Sequence, residues 1–126
     1  MKKVILDTNF LLIPYQFKID VFLQIQELIS VNYELIVSTN IVSELKNLST
    51  GKGKEGAAAR FALKLLDSYK VTVVNSPKSA DDWIVEYSKE NEDIVVCTSD
   101  FYLKKKLKNM KKKIISLRTR SRLKFV

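Results

Sequence analysis

Short apolar runs rich in β-branched residues alternate along this chain with longer segments whose apolar residues recur at helical spacing. The runs fall at residues 4–6, 34–37, 71–74, 94–97 and 114–117. Strands that are apolar along most of their length are typical of a parallel sheet with helices on both faces. The alternation therefore predicts a single α/β domain over residues 1–126, a three-layer sandwich around a central parallel sheet of about five strands.

The segments between these runs predict the helices of the outer layers. Helical spacing covers residues 19–30, 41–48, 57–69, 80–90 and 101–110. In the third of these, the side chains expected to face the core are Ala58, Phe61, Ala62, Leu65 and Leu66. Residues 49–56 are interpreted as a polar loop that holds all three glycines, and residues 118–126 as a short basic tail.

Two absences restrict the chemistry available to this chain. It contains no histidine, which excludes Ser-His-Asp and Cys-His nucleophilic sites and histidine-ligated zinc. None of its glycines follows a predicted strand, so a glycine-rich loop that cradles phosphate is excluded as well. Any acid, base or metal-binding role must therefore fall to Asp, Glu and Lys.

Cysteine content and hydropathy indicate the cellular compartment in which the protein is expected. The single cysteine, Cys97, excludes an internal disulfide and a multi-cysteine metal site. No apolar run approaches the roughly 20 residues that a membrane-spanning helix needs, and the apolar stretch before Asp7 is too short for a signal peptide. We therefore expect a cytoplasmic protein with no membrane partner.

The basic residues are concentrated at the C-terminal end of the sequence. Residues 101–126 hold eleven of the 22 Lys and Arg residues and none of the 14 acids, so this segment carries +11 and the rest of the chain −3 of the net +8. Such asymmetry points to a polyanionic partner, above all nucleic acid. A solvated basic helix that aids solubility is the alternative.

Carboxylates stand where the predicted strands end. Asp7 directly follows the first strand, and Asp100 comes three residues after the fourth. Ligands bind at the carboxyl ends of strands in an open parallel sheet, but Asp is also a common helix N-cap, so both roles stay open for each. Glu44 shares a helix face with Ile41 and Leu48. A carboxylate on that face is costly unless it is paired or binds a cation; a boundary position from which the carboxylate reaches water is the alternative.

Asp81 and Asp82 open the helix before the fourth strand. Ser79 and Asp82 have the spacing of a capping box, so one of the two acids has a structural explanation, and helix chemistry does not choose between them. Carboxylates gathered from four segments would repel one another, and a divalent cation relieves that repulsion. Oxygen ligands select Mg²⁺ or Mn²⁺ over zinc. With a basic arm nearby, the predicted chemistry is metal-assisted hydrolysis of phosphodiester bonds.

The acids and their flanking residues together resemble the PIN-domain nucleases. The resemblance rests, in this order, on residues 5–9 (Ile-Leu-Asp-Thr-Asn), Glu44, residues 81–85 (Asp-Asp-Trp-Ile-Val) and residues 96–100 (Val-Cys-Thr-Ser-Asp). Each motif alone is weak, but all four in order at the expected elements are a strong signal that covers essentially the whole chain. The sequence is similar to archaeal PIN proteins, which are related to VapC-type toxins and to small-subunit rRNA-processing endonucleases.

The resemblance implies a strand order of 3-2-1-4-5 and a Mg²⁺- or Mn²⁺-dependent endoribonuclease that cuts single-stranded RNA. The metal-binding acids that it implies are Asp7, Glu44, Asp82 and Asp100. Asn9 and Thr98 match family positions that orient these acids. Asp82 is preferred to Asp81 because the family's acid is followed by an apolar helix face, here residues 83–85.

The expected main partner is RNA, as a single-stranded segment of rRNA or tRNA. The basic residues expected to contact it are Lys104, Lys105, Lys108, Arg118 and Arg120. The resemblance also implies a homodimer, and an antitoxin or a ribosome-assembly protein as protein partner. A function of another class, a non-catalytic RNA-binding or ribosome-assembly factor on the same fold, is the alternative.

Overall fold

The structure is a computed structural model that describes all 126 residues. The apolar run near the N-terminus forms one of the two central strands of its sheet. The strands are β1 (Lys2–Leu6), β2 (Tyr33–Ser38), β3 (Thr72–Val74), β4 (Ile94–Cys97), β5 (Lys113–Thr119) and β6 (Arg122–Phe125). The helices are α1 (Thr8–Leu11), α2 (Ile13–Phe17), α3 (Val21–Leu28), α4 (Thr39–Ser49), α5 (Lys54–Ser68), α6 (Ala80–Glu90) and α7 (Phe101–Asn109). No helix combines the length and the apolar character needed to cross a bilayer.

The strands lie side by side in the order β3-β2-β1-β4-β5-β6. All neighbours from β3 to β5 pair in parallel, so the predicted order 3-2-1-4-5 is confirmed. Crossovers between parallel strands are right-handed. The connections from β1 to β3 therefore place α1–α5 on one face of the sheet. The connections from β3 to β5 run in the opposite direction and place α6–α7 on the other face. This arrangement is the predicted three-layer sandwich.

The sixth strand corrects the prediction for the C-terminal residues. Residues 118–126, expected to be a short basic tail, instead lengthen β5 to Thr119 and return as β6, which pairs antiparallel with β5. Only Leu123 is buried in β6, and its neighbours Arg122 and Lys124 are exposed. An edge strand with a single apolar anchor has no continuous apolar run, so the criterion that finds the buried strands does not find this one.

Side-chain contacts fix the β5–β6 hairpin to α3. Gln24 donates from Nε2 to the Ser121 carbonyl at 2.9 Å, and its Oε1 accepts from the Leu123 N–H at 2.7 Å. The Arg120 guanidinium lies 5.7 Å from the centre of the Phe17 ring, within cation–π range. The hairpin is therefore an integral part of the domain.

Burial is most complete along β1 and β4. Val4, Ile5 and Leu6 are fully buried, and so is the whole of β4. Each of these strands has a hydrogen-bonded neighbour on both sides and helices over both faces, which explains why the two apolar runs are continuous.

Phe61 corrects the prediction for α5. It was expected to face the core but is 41% exposed and packs against the Tyr15 ring, with 6.2 Å between the ring centres. The buried side of α5 is made mostly of small residues, among them Ala58, Ala59 and Ala62. Because these residues allow close packing, the bulkier aromatic ring is left at the rim of the interface.

The turn between α4 and α5 explains two of the glycines. The predicted loop of residues 49–56 shrinks to residues 50–53, and Gly53 adopts a φ of 92°, which favours glycine. A Cβ at Gly56 would collide with the carbonyl group of Gly51. The backbone of the turn thus packs on the first turn of α5 more closely than any other residue would permit.

We expect Leu123→Ala to lower the free energy of unfolding by about 2–5 kcal/mol, because the substitution removes buried apolar contacts and leaves a cavity. Chemical denaturation followed by circular dichroism measures the change. Lys124→Ala, on the exposed neighbour, is the matched control and should alter the free energy by less than about 0.5 kcal/mol. Equally small effects of both variants would mean that the core does not anchor β6.

Candidate functional site

A cleft opens at the carboxyl ends of β1 and β4. The two strands are neighbours, with Leu6 opposite Cys97, and the connections that follow them run in opposite directions along the sheet. Clefts at such switch points are the usual ligand sites of open α/β sheets. This one has a volume of about 370 Å³, and the residues that line it are Asp7, Thr8, Asn9, Leu12, Glu44, Ser79, Ala80, Asp81 and Asp100.

Asp7 is the most deeply buried acid of the cleft, with an exposed fraction of 4%. Its Oδ1 accepts from the Thr8 N–H at 2.8 Å, and its Oδ2 accepts from the Thr98 hydroxyl at 2.7 Å. Asp7 therefore caps the N-terminus of α1 and also lines the cleft. The two roles that the sequence left open do not exclude each other.

Burial raises the pKa of Asp7 from its ordinary 3.8 to about 6. The hydrogen bonds from Thr98 and Thr8 act in the opposite direction and lower the pKa, while the nearby carboxylates of Asp81 and Asp100 raise it further. The acid at the end of the central strand thus sits in a site that disfavours its negative charge.

Thr98 and Asn9 tie the loop after β1 to the loop after β4. The Thr98 hydroxyl donates to Asp7 and accepts from the Asp100 N–H at 3.0 Å. The Asn9 Oδ1 accepts from the Ser99 N–H, also at 3.0 Å. These contacts fix the orientation of the two loops that carry Asp7 and Asp100. This is the kind of role that the family resemblance implies for both residues.

Asp100 and Glu44 reach the cleft from two different elements. Asp100 is the N-cap of α7, because its Oδ1 accepts from the Leu103 N–H at 2.8 Å. Glu44 is half-buried on α4, the helix that begins directly after β2 with Ser38 as its N-cap. Since β2 lies beside β1, α4 carries Glu44 to the same edge of the sheet as Asp7.

Asp81, rather than the predicted Asp82, lines the cleft. Asp81 is half-buried, and burial together with the nearby Asp100 raises its pKa, while Lys106 lowers it. Asp82 is exposed, and its backbone N–H donates to the Ser79 cap of α6. Asp82 is thus placed outside the cleft, and the choice of Asp82 over Asp81 does not agree with the structure.

The phase of α6 gives the physical reason for this difference. Asp81 precedes Ile84 by three residues and Ser88 by seven, and both of these are buried. At about 100° per residue, this spacing puts Asp81 on the packed side of the helix and turns Asp82 away from it. The helical periodicity of α6 therefore distinguishes Asp81 from Asp82, whereas the residues that follow the acid do not.

Comparison with known proteins identifies the family of this chain. A family model described as a PIN like domain matches residues 4–120. The chain belongs to the PIN-like domain family. The matched region contains every residue that lines the cleft and ends in the turn of the β5–β6 hairpin.

Two relatives of this PIN-like chain match most of its length. Ribonuclease VapC4 of Methanocaldococcus jannaschii is 36% identical over 110 residues, which is 85% of this chain and 83% of that protein. Ribonuclease VapC9 of Archaeoglobus fulgidus is 34% identical over 105 residues, or 82% of this chain and 74% of that protein.

Solved structures show the same PIN-like fold. The PIN domain endonuclease Utp24 superposes with a TM-score of 0.80 at 25% identity, over 98% of this chain and 92% of that chain. VapBC-1 from nontypeable Haemophilus influenzae superposes with a TM-score of 0.52 at 15% identity, over 85% and 93% of the two chains. The second likeness concerns the fold alone.

The donor atoms of the PIN-like cleft suit a hard divalent cation. All four acids offer carboxylate oxygens, the ligands that Mg²⁺ and Mn²⁺ prefer. As the side chains stand, no group of three acidic or thiol side chains is arranged to hold a metal ion. The buried Thr8 hydroxyl makes no hydrogen bond within the chain, and Thr8 is among the residues that line the cleft. A buried polar atom without a partner is costly, so the walls are suited to a polar or charged ligand.

Thr8 is absent from the set of site residues that the sequence predicts. It lies between two residues of that set, Asp7 and Asn9, but the sequence does not show which of the chain's hydroxyl groups lack a partner. Only the packed structure separates the Thr8 hydroxyl, which has none, from the Thr98 hydroxyl, which bridges two loops.

The predicted RNA contacts lie outside the cleft, on α7 and on the β5–β6 hairpin. Lys105 and Lys108 are exposed on α7, and Lys104 is half-buried. Arg118 and Arg120 are exposed where β5 ends and the hairpin turns. Since β5 is parallel to β4, this turn lies at the same edge of the sheet as the cleft. Arg120 also contacts Phe17, so it has a structural role as well.

A second hollow, of about 420 Å³, is formed by residues of α2, α3, α5 and the segment between α2 and α3. Most of its lining side chains are apolar, and its one acid, Asp20, accepts from the Leu23 N–H as the N-cap of α3. The groups that could perform acid or metal chemistry are therefore gathered in the cleft between β1 and β4.

We expect Asp7→Asn to stabilise the metal-free protein near pH 7. The pKa of Asp7 is higher in the folded chain, about 6, than its ordinary value of 3.8, so the folded state binds the proton more tightly. The contribution of Asp7 to stability is therefore greatest at low pH and is lost as the pH rises through about 4 to 6. A neutral Asn avoids that loss, which corresponds to at most about 3 kcal/mol.

Thermal melts of both chains from pH 4 to pH 7 in metal-free buffer measure this effect. The difference in melting temperature between Asp7→Asn and the parent chain should grow with pH. A difference that stays constant over this range would contradict the raised pKa of Asp7.

Proposed function

We propose that this chain is an endoribonuclease that hydrolyses phosphodiester bonds of RNA with Mg²⁺ or Mn²⁺ held in the cleft. One observation carries the proposal: carboxylates from four separate elements line a single cleft at the switch point of the sheet. The names of the two relatives, both ribonucleases at 34–36% identity, support RNA as the substrate.

In this proposal the cation is held by Asp7, Glu44, Asp81 and Asp100. A bound divalent cation supplies the neutralising charge on the phosphate and lowers the pKa of water, which makes it a nucleophile near neutral pH. Asp100 raises the pKa of both Asp7 and Asp81, and Asp81 also raises the pKa of Asp7. This repulsion supports a cation there, because a positive charge would relieve it.

The remaining site residues have positioning roles in this proposal. The Thr98 hydroxyl orients Asp7 through Oδ2 and holds the backbone that leads into Asp100. Asn9 locks the loop after β4 through the Ser99 N–H. Lys104, Lys105, Lys108, Arg118 and Arg120 contact RNA phosphates, which would make binding strongly dependent on salt.

We propose that the biological role is that of a toxin paired with an antitoxin, with a homodimer as the assembled form of the chain. The two VapC relatives are 36% and 34% identical to this chain, whereas the Utp24 endonuclease is 25% identical. Maturation of rRNA is a second candidate role, supported by the close superposition on Utp24 over nearly the whole chain. A cytoplasmic location is part of both candidate roles.

We expect Asp81→Asn to lower RNA cleavage by about 100-fold or more, beyond the roughly 10- to 100-fold typical of residues that only support a metal site. Asp82→Asn is the matched control, one residue away and exposed, and should leave the rate within about threefold of the parent rate. Cleavage of a labelled single-stranded RNA in Mn²⁺ buffer measures both. Loss of cleavage in Asp82→Asn alone would restore the choice made from the sequence.

We expect Mn²⁺ to raise the melting temperature of the parent chain and not that of Asp7→Asn. A ligand that binds only the folded state stabilises it by mass action, and Asp7 is central to the proposed ligand set. A titration followed by differential scanning fluorimetry measures the shift. If the parent chain binds RNA but shows neither a shift with Mn²⁺ nor cleavage, the non-catalytic RNA-binding factor is the better description.

A further inference from the structure

Two adjacent aromatic side chains are exposed at the start of α7. Phe101 is 67% exposed and Tyr102 is 74% exposed. Their ring centres lie 5.5 Å apart, with the ring planes at 85°. Adjacent large aromatic rings in water are an unusual surface feature for a soluble domain, and contiguous exposed apolar surface marks binding sites. Neither residue has a role in the cleft described above.

The aromatic pair follows directly in the chain after a residue that lines the cleft. Asp100, which lines the cleft, is the N-cap of α7, and Phe101 is the first residue of that helix. Hence the two rings follow immediately after the acid in the chain and lie at the carboxyl edge of the sheet. A polymer whose reactive bond occupies the cleft would pass close to these rings.

Lysine side chains extend from Phe101 along the same face of α7. Phe101, Lys104, Lys105 and Lys108 follow one another at helical spacing, and together with Val126 they line a hollow of about 260 Å³. From Phe101 to Lys108 the helix rises by about 10 Å. No acid occurs in residues 101–126, so nothing in this segment offsets the positive charge of the lysines. An aromatic ring joined to a row of cations is the combination that single-stranded nucleic acid requires.

We propose that Phe101 and Tyr102 are a stacking platform for unpaired bases of the substrate RNA, with Lys104, Lys105 and Lys108 holding the adjoining phosphates. This inference rests on the proposed ribonuclease function. Because the two ring planes are nearly perpendicular, one base cannot stack on both rings. Each ring therefore takes a base of its own, and the RNA strand turns between them.

The platform supplies a physical basis for acting on single strands. Bases within a duplex are already stacked on their neighbours, and only unpaired bases can be splayed onto protein rings. Every base has a π-face, so stacking tolerates any sequence. The platform would thus select unpaired RNA beside the cleft without selecting a particular sequence.

The test measures binding of a labelled, unpaired oligoribonucleotide that contains 2-aminopurine to the full chain carrying Asp7→Asn, which prevents cleavage. Fluorescence anisotropy gives the Kd, and quenching of 2-aminopurine reports stacking. Adding Phe101→Ala and Tyr102→Ala should weaken binding by about 5- to 150-fold for each stacked base and abolish the quenching. Replacing both residues with Trp should retain both signals. Phe61→Ala, an exposed aromatic residue on α5, is the matched control and should change neither.

The salt dependence of the Kd separates the contribution of the aromatic rings from that of the lysines. Stacking involves no phosphate, so the aromatic variants should leave the slope of log Kd against log salt unchanged. Replacing Lys104, Lys105 and Lys108 by Ala should reduce that slope by about 0.7 for each phosphate contact that is lost. A non-specific loss of structure would not leave the slope unchanged in the aromatic variants while reducing it in the lysine variants.

The remaining outcomes would overturn the platform. If the double Ala variant binds RNA like its parent, the platform is wrong although the ribonuclease proposal stands. If that variant keeps its RNA affinity but dissociates a dimer in analytical ultracentrifugation, the aromatic pair is a protein contact and not an RNA site. If the Asp7→Asn parent binds no RNA at all, the platform and the proposed function fail together.

Discussion

The candidate site depends on one carboxylate, Asp7, that the fold holds in a nearly buried position at the end of β1. Asp7 follows Val4, Ile5 and Leu6 of β1, which are apolar and inaccessible, and its environment disfavours charge. Donors for both of its oxygens come from the start of α1 and from the end of β4. The contact that orients the acid is thus also a contact that joins two strands. The hydrogen bond from the Thr98 hydroxyl to Asp7 therefore contributes both to the fold and to the geometry of the site.

The edge of the sheet that carries the cleft is also the edge where helices begin. Asp7, Ser38, Ser79 and Asp100 are the N-caps of α1, α4, α6 and α7. Helix N-termini carry partial positive charge and stabilise nearby anions. A group of carboxylates at this edge therefore lies in a more favourable field than the same group would at the opposite edge, and the same field suits a phosphate.

The sequence indicated the parallel strands through their continuous apolar runs, whereas the order of those strands came from the family resemblance, because apolar runs do not show which strands are neighbours. It also contained the three acids Asp7, Glu44 and Asp100, since each stands at a strand end or on a helix face with a clear pattern. The β5–β6 hairpin escaped prediction because it is anchored by one leucine and by Gln24, a residue 97 positions away from its partner Ser121. The phase of α6 distinguishes Asp81 from Asp82, but the prediction relied instead on the residues that follow the acid. The exposure of Phe61 depends on the sizes of neighbouring side chains, which apolar periodicity alone does not resolve.

The hydrogen bond between Asp7 and Thr98 joins residues that are 91 positions apart, and this has a consequence for synthesis on the ribosome. Chains emerge with the N-terminal end first, so Asp7 is made early and stays without its hydroxyl partner until β4 and the residues after it have left the exit tunnel. Contacts of such long sequence separation also form late in folding, because closing the loop costs entropy before the contact stabilises anything. The cleft therefore assembles only after the segment that carries Thr98 has emerged, and a shorter nascent chain would have the acid but not the site.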